Sequence, residues 1–146
     1  PEHMHRSIEH RLVGVRAAAN EMGLGASDLP EMDGDFSTPS GAECAARLLE
    51  AHPDLTAFVC LNDRMAMGAI RAVQAAGFRV PQDVAVVGFD DIPTAADFNP
   101  PLTTVKGLSR EIGQAAAQML FKLIAGETVE EKEVILPTEI VIRKSS

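Results

Sequence analysis

Residues 57–91, AFVCLNDRMAMGAIRAVQAAGFRVPQDVAVVGFDD, leave little freedom in how this chain can fold. Two short apolar runs, Ala57–Leu61 and Val84–Phe89, flank one amphipathic stretch, Asp63–Ala76. The runs are rich in Val and Phe, are too short for helices, and end in polar or turn residues, as strands buried on both faces do. Between them Met65, Ala69, Ala72, Val73 and Ala76 recur at helical spacing. Asn62-Asp63 suits a helix start, with Asp63 as the expected cap, and Gly77 suits the stop. Strand, helix and strand in this length predict a right-handed βαβ unit with parallel strands. Each predicted strand ends in side-chain oxygens, Asn62-Asp63 after the first and Asp90-Asp91 after the second. In an open parallel sheet that carboxyl edge is where small ligands bind.

The rest of the chain extends the alternation. Ser7 is placed to cap a helix to about Met22, with Ile8, Leu12, Val15, Ala18, Ala19 and Met22 on one face and Gly23 as its stop. Asp28–Met32 reads as a strand, and residues 33–39 read as a loop by composition. Ser40 and Glu43 have the spacing of a capping box for a helix over about 41–51, which His52-Pro53 ends. After the βαβ unit, Ile92–Pro101 reads as a loop with one helical turn and Leu102–Val105 as a short strand. Ser109 is placed to cap a helix to about Ile124, striped by Ile112, Ala116, Met119, Leu120 and Leu123 and stopped by Gly126. Glu133–Ile142 alternates as a final strand. The class is α/β with a doubly wound parallel sheet. Such a domain ordinarily opens with a strand, and this one opens with a helix, so the chain is expected to be part of a longer protein.

Composition excludes several functions. The 146 residues suffice for one core, and no apolar run is long enough to span a bilayer, so no membrane partner is expected. The start carries no signal-peptide pattern. The net charge is −8, from 21 acidic against 13 basic residues, without a basic cluster. This segment therefore does not suit a nucleic-acid backbone, which needs clustered Lys and Arg. Cys44 and Cys60 make no disulfide framework and read as small core residues. His3, His5 and His10 lack a third well-placed ligand and a rigid frame, so no metal site is expected. There is no paired acid and base, nucleophile motif, Gly-x-Gly-x-x-Gly or Walker loop. The chain is read as a binding module with no catalytic residues and no cofactor.

Two residues stand out for ligand chemistry. Asp90 ends an apolar strand at the binding edge and offers only acceptor oxygens, so it can take hydrogen bonds from vicinal hydroxyls or from ring N–H groups. Its competing role is to cap the following turn. Asn62 both donates and accepts, which suits a hydroxyl that gives and takes. Its competing role is the helix cap, and the two can coexist.

Phe-x-x-x-Asn-Asp-x-Met-Ala-x-Gly-Ala at 58–69, Val-Pro-x-Asp-Val at 80–84, Val-Val-Gly-Phe-Asp-Asp at 86–91 and Pro-Pro-Leu-Thr-Thr-Val at 100–105 resemble the effector-binding domain of the LacI/GalR family of bacterial transcription regulators. The resemblance runs from about Arg6 to Lys144. It implies the type I periplasmic-binding-protein fold, incomplete here: about 1–101 and 132–146 as the C-terminal subdomain, and about 102–131 as a segment of the N-terminal subdomain. It implies a small-molecule effector, a sugar or a nucleobase, bound in a cleft between subdomains by Arg11, Phe36, Asn62 and Asp90. On bare sequence Arg11 is a solvated helix Arg and Phe36 a loop anchor; the matches Arg-Leu-x-Gly at 11–14 and Gly-Asp-aromatic at 34–36 assign them to the effector. Arg11 and Asp90 are expected to reach one cleft, to hold opposite edges of the effector, and without ligand to satisfy each other in part. The resemblance further implies a cytoplasmic homodimer, with Met67, Ile70, Arg71 and Phe98 at its interface, that meets operator DNA only through an absent N-terminal domain. Met67 and Ile70 could instead be core. The family often has Gln shortly after Thr-Thr-Val, where this chain has Lys106-Gly107-Leu108. The rival on the same fold is a secreted sugar-binding protein serving a transporter, which usually lacks Pro-Pro-Leu-Thr-Thr.

Overall fold

The structure, a computed structural model, describes residues 2–130 and 133–146, with side chains from Ile8 onward. In chain order it has α1 (Glu2–Glu21), a 3-10 turn (Ala26–Asp28), α2 (Thr38–Ala51), β1 (Ala57–Val59), α3 (Asp63–Ala75), β2 (Ala85–Asp90), α4 (Pro93–Asp97), β3 (Thr103–Lys106), α5 (Ser109–Ile124) and β4 (Glu139–Val141). The sheet order is β1-β2-β3-β4. β1, β2 and β3 run parallel, with Phe58 opposite Val86 and Val87 opposite Thr103. β4 pairs antiparallel to β3. The expected α/β class and the parallel βαβ unit are both present.

One face of the sheet buries Phe58 and Val86 against Ala66, Ala69, Ile70 and Val73 of α3, with Val84 and Leu102 completing the core. α2 packs over α3 so closely that the backbones touch. A Cβ on Gly41 would lie 2.3 Å from the Met65 carbonyl oxygen, and one on Gly68 would lie 2.1 Å from that of Thr38. Only glycine at both positions admits this crossing. On the opposite face α1 approaches the end of β2 through Arg11, whose guanidinium lies 3.6 Å from the centre of the Phe89 ring.

Several expected boundaries move, each for a local reason. α1 begins at Glu2 and not at Ser7, because nothing in residues 2–6 breaks a helix. No strand forms over Asp28–Met32. The Asp28 carboxylate accepts the Gly25 N–H at 2.8 Å to close the 3-10 turn, and Pro30 has no N–H for a ladder. α2 is capped by Ser37, not Ser40, and carries Pro in its first turn, where the missing N–H costs nothing. Ser40 Oγ instead accepts the Asp35 N–H at 3.0 Å. α3 is capped by Asn62, whose Oδ1 accepts the Met65 N–H at 2.8 Å, so Asp63 is not the cap. α5 starts after Leu108 without a side-chain cap. Of the final strand only Glu139–Val141 pairs; Pro137 interrupts what precedes it, and residues 131 and 132 lie outside the described ones. Both cysteines are free, and burial pushes the Cys60 thiol up to about 12.

α5 has no buried residue. Ile112 is 57% exposed, Leu120 55% and Leu123 60%, so the stripe read from the sequence faces outward, and Phe121 beside it is 68% exposed. The expected consequence is a sharp contrast in urea unfolding of this chain. Ile70→Ala, at a fully buried position, costs about 2–5 kcal/mol, while Phe121→Ser stays within about 0.5 kcal/mol. Equal losses at the two positions would mean that α5 is packed.

Candidate functional site

At the carboxyl edge of the sheet an open cavity of about 700 Å3 is lined by Arg11, Phe89 and Asp90, the Gly107–Ser109 turn, Ile112, and Glu133, Leu136 and Thr138. Its floor is the end of β2. Its walls come from α1, the start of α5 and the segment before β4. The Gly107 N–H donates to the Asp90 carbonyl at 3.1 Å, which draws the end of β3 against the acid.

Arg11 is already held. Its guanidinium stacks on Phe89 and donates to the Leu61 carbonyl, so a charge on a helix surface becomes a fixed, half-buried group. Burial lowers its pKa, and the nearby Asp90 carboxylate partly offsets this. Asp90 shows the converse. Burial raises its pKa, Arg11 counters that, and Asp63 adds to it. Arg11 and Asp90 both line this cavity, but the expected contact between them is not made: among the described residues no ion pair joins them, because Arg11 is turned onto Phe89 and the Leu61 carbonyl. Asp90 therefore keeps acceptor capacity for a ligand, and Arg11 keeps donors.

Asn62 and Phe36 sit differently. They do not line the cavity. Asn62 is 9% exposed and spends both ends of its amide, accepting from Met65 N–H and donating from Nδ2 to the Phe36 carbonyl at 2.9 Å. Phe36 is half-buried at φ 66°, a left-handed conformation uncommon for an aromatic residue. The two are joined to each other, and Leu61 links them to Arg11 through its carbonyl.

The interface expectation needs correction at two of its four positions. Met67 is 7% exposed and Ile70 is fully buried, both within the core, because α3 turns that side to the sheet and to α2. Arg71 is exposed, with its guanidinium carbon 5.6 Å from the centre of the half-buried Phe98 ring. Gln74 Nε2 donates to the Asn99 carbonyl at 3.4 Å beside them.

Sequence reading missed Phe89 as the platform for Arg11, although Phe89 alternates with the inward Gly88 and so had to face α1. It also missed Glu133 and Thr138, which reach the cavity only because the chain returns beside β3. Asp91, next to Asp90, does not line the cavity: it accepts from Arg143 Nη2 at 2.6 Å, and Arg143 Nη1 donates to the Leu102 carbonyl at 2.8 Å. Among the described residues no three His, Cys, Asp or Glu are grouped to hold a metal ion, and the His3 and His5 side chains lie outside the described ones.

Comparison with known proteins follows the same lines. The periplasmic binding protein-like domain family matches residues 1–146. The HTH-type transcriptional regulator CelR of Thermobifida fusca is 37% identical over 145 residues, 99% of this chain and 42% of that protein. A Lac repressor dimer bound to operator and the anti-inducer ONPF superposes with a TM-score of 0.86 at 34% identity, over 96% of this chain and 48% of that one. A CelR–cellobiose complex superposes with a TM-score of 0.82 at 37% identity, over 93% of this chain and 42% of that one. The chain thus spans less than half the length of these relatives, which are transcription regulators, and the resemblance drawn from the four motifs is borne out.

Asp90 has φ 118°. A non-glycine residue so placed carries about 1–3 kcal/mol of backbone strain. Asp90→Gly is therefore expected to raise the melting temperature measured by calorimetry, while deleting the acceptor. A fall in melting temperature would show that the carboxylate stabilises the fold.

Proposed function

The chain belongs to the periplasmic binding protein-like domain family, and from that premise we propose that it is the ligand-sensing part of a LacI/GalR-type DNA-binding transcription regulator. The observation that carries this reading is the pairing of Arg11 and Asp90 in one cavity at the carboxyl edge of parallel strands, a donor fork and an acceptor-only group left free of each other. Vicinal hydroxyls match that arrangement, since each can donate to the carboxylate and accept from the guanidinium. Phe89, Leu108, Ile112 and Leu136 supply apolar surface for the C–H face of a sugar or for a base. The cellobiose complex of CelR supports a sugar, and a nucleobase is the second ligand class.

In this reading the chain performs no catalysis and uses no cofactor. It works in the cytoplasm as a homodimer, and it reaches operator DNA through a separate N-terminal domain of the full-length protein. Among the described residues no helix is long and apolar enough to cross a membrane. Of the expected returning segment 102–131, Leu102 lies in the core and β3 pairs with β2, so that part stays with the C-terminal subdomain; in this reading the segment that returns to the N-terminal subdomain begins after β3, and the outward stripe of α5 is the face that subdomain covers. The remaining dimer candidates are Arg71 and Phe98. Effector binding would shift the two subdomains between arrangements of different DNA affinity.

The test is titration calorimetry of the full-length protein with cellobiose, other disaccharides and purine bases. Asp90→Ala and Arg11→Ala each remove hydrogen bonds to a charged group and should weaken the ligand found by about tenfold to a hundredfold, with melting temperatures little changed. Unchanged affinity in both variants, or loss only alongside loss of fold, overturns the assignment. For the dimer, Arg71→Glu with Phe98→Asp should lower the molar mass in solution to that of a monomer. An intact dimer would place the interface elsewhere.

A further inference from the structure

Asn62 and Asp63 are adjacent in sequence and divided in task. Asp63 is fully buried. Its Oδ2 accepts the Ile92 N–H at 2.9 Å, and its Oδ1 accepts the Thr104 hydroxyl. No cation holds it among the described residues, since Arg143 is bonded to Asp91. Burial raises its pKa, and the Thr104 and Ile92 bonds only partly counter this. A carboxylate in that position is costly to keep. β2 even carries Gly88 beside it, where a Cβ would come within 2.3 Å of Asp63 Oδ1.

The fold accounts for part of the acid's place, through the first turn of α3 and the bond from the Thr104 hydroxyl, but neither acts on the 90–92 turn. α3 is capped by Asn62, and β3 is registered on β2 by backbone pairing. What the Ile92 bond adds is an anchor directly after two left-handed residues, Asp90 at φ 118° and Asp91 at φ 55°. A turn with two such residues is held in place only by its surroundings. Gly107 N–H fixes it at one end and Asp63 fixes it at the other.

We propose that Asp63 is a positioning residue of the effector site: through the Ile92 amide it latches the 90–92 turn and aims the Asp90 carboxylate into the cavity beside Arg11. This rests on the reading of that cavity as the effector site. Asp63 touches no ligand; it acts on Asp90.

The experiment uses the full-length protein with cellobiose as probe. Thr104→Val removes one partner of Asp63 and leaves the Ile92 bond. Asp63→Ala made in that background then removes the latch without orphaning the Thr104 hydroxyl, so the group left without its partner is the Ile92 N–H, whose release the test reads. Asp63→Asn is the conservative variant, since its oxygen can still accept from Ile92 while its NH2 donates to Thr104. Removing the latch should weaken cellobiose binding about tenfold relative to Thr104→Val, worth about 1.4 kcal/mol. It should also speed amide exchange at Ile92 while the Val86 and Gly88 amides stay protected. Thr104→Val and Asp63→Asn should retain both properties. Equal affinity with and without the latch overturns the proposal, as does a loss in Thr104→Val as large as in the double variant. Should cellobiose not bind the unaltered protein, the sugar reading fails for that ligand, and the latch is judged without it. Asp63→Ala and Asp63→Asn both remove the charge, so a different Asp90 titration midpoint in the two reads position alone, and identical midpoints with unchanged Ile92 exchange overturn the latch.

Discussion

The backbone contact between α2 and α3 sets the geometry of everything at the ligand edge. Side chains normally hold two helices 8–10 Å apart. Here Gly41 and Gly68 remove them at the crossing, and carbonyls meet the opposing backbone directly. The crossing lies near both helix starts. It therefore brings the residue before the α2 cap, Phe36, against the α3 cap, Asn62, whose amide closes on the Phe36 carbonyl. A larger residue at either glycine would push α2 off α3 and pull the 33–37 loop away from Asn62. One packing constraint in the helix layer thus reaches the site through a single hydrogen bond.

Charge at the same edge is partitioned with little waste. Three carboxylates, Asp63, Asp90 and Asp91, face two guanidiniums, Arg11 and Arg143. Arg143 and Asp91 pair directly, with side chains 18% and 19% exposed, and tie the returning chain to the sheet. Ser145 reinforces that tie, accepting the Thr103 N–H at 2.8 Å and donating to the Val86 carbonyl at 2.6 Å. Asp63 is satisfied by neutral donors. Arg11 is satisfied by a carbonyl and a ring. Asp90 lies near Arg11 without bonding to it, and it is the one acid of the three that lines the cavity. A half-buried carboxylate in that condition gains most from whatever donors a ligand brings.

What the sequence made legible follows from how local each signal is. The βαβ unit was readable because its strand runs and helix spacing lie within thirty-five consecutive residues, 57–91. Asp90 and Arg11 were readable as types at an edge, and as partners only through the family pattern, because no periodicity links α1 to β2. Asn62 was right as a residue and divided as a role: the cap and the tie to Phe36 use the amide that a ligand would need. Asp63 was misread as the cap because caps and buried acids have the same signature, a lone Asp before a helix; burial separates them, and burial comes from β3, forty-one residues later. Met67 and Ile70 looked exposed only on the assumption that α3 has one buried side. In the structure the sheet takes one side and α2 another, leaving Arg71 and its neighbours outward.

Among the described residues only Phe36, Asp90 and Asp91 are non-glycine residues at positive φ, and all three stand in the two loops at the carboxyl edge of the sheet. Elsewhere positive φ falls to glycine, at Gly23, Gly77 and Gly126, each just past a helix end. The chain thus places glycine where a left-handed residue serves only to end a helix. It keeps an aromatic and two acids where the same conformation faces the site. Glycine at these positions would relieve roughly 1–3 kcal/mol each. Side chains retained against that gain are retained for what they present: an acceptor at Asp90, a clasp for the returning strand at Asp91, and a carbonyl and ring at Phe36. The anchors already described, Gly107 N–H, Asp63 and Asn62, lie directly beside these three residues, and their hydrogen bonds offset the strain.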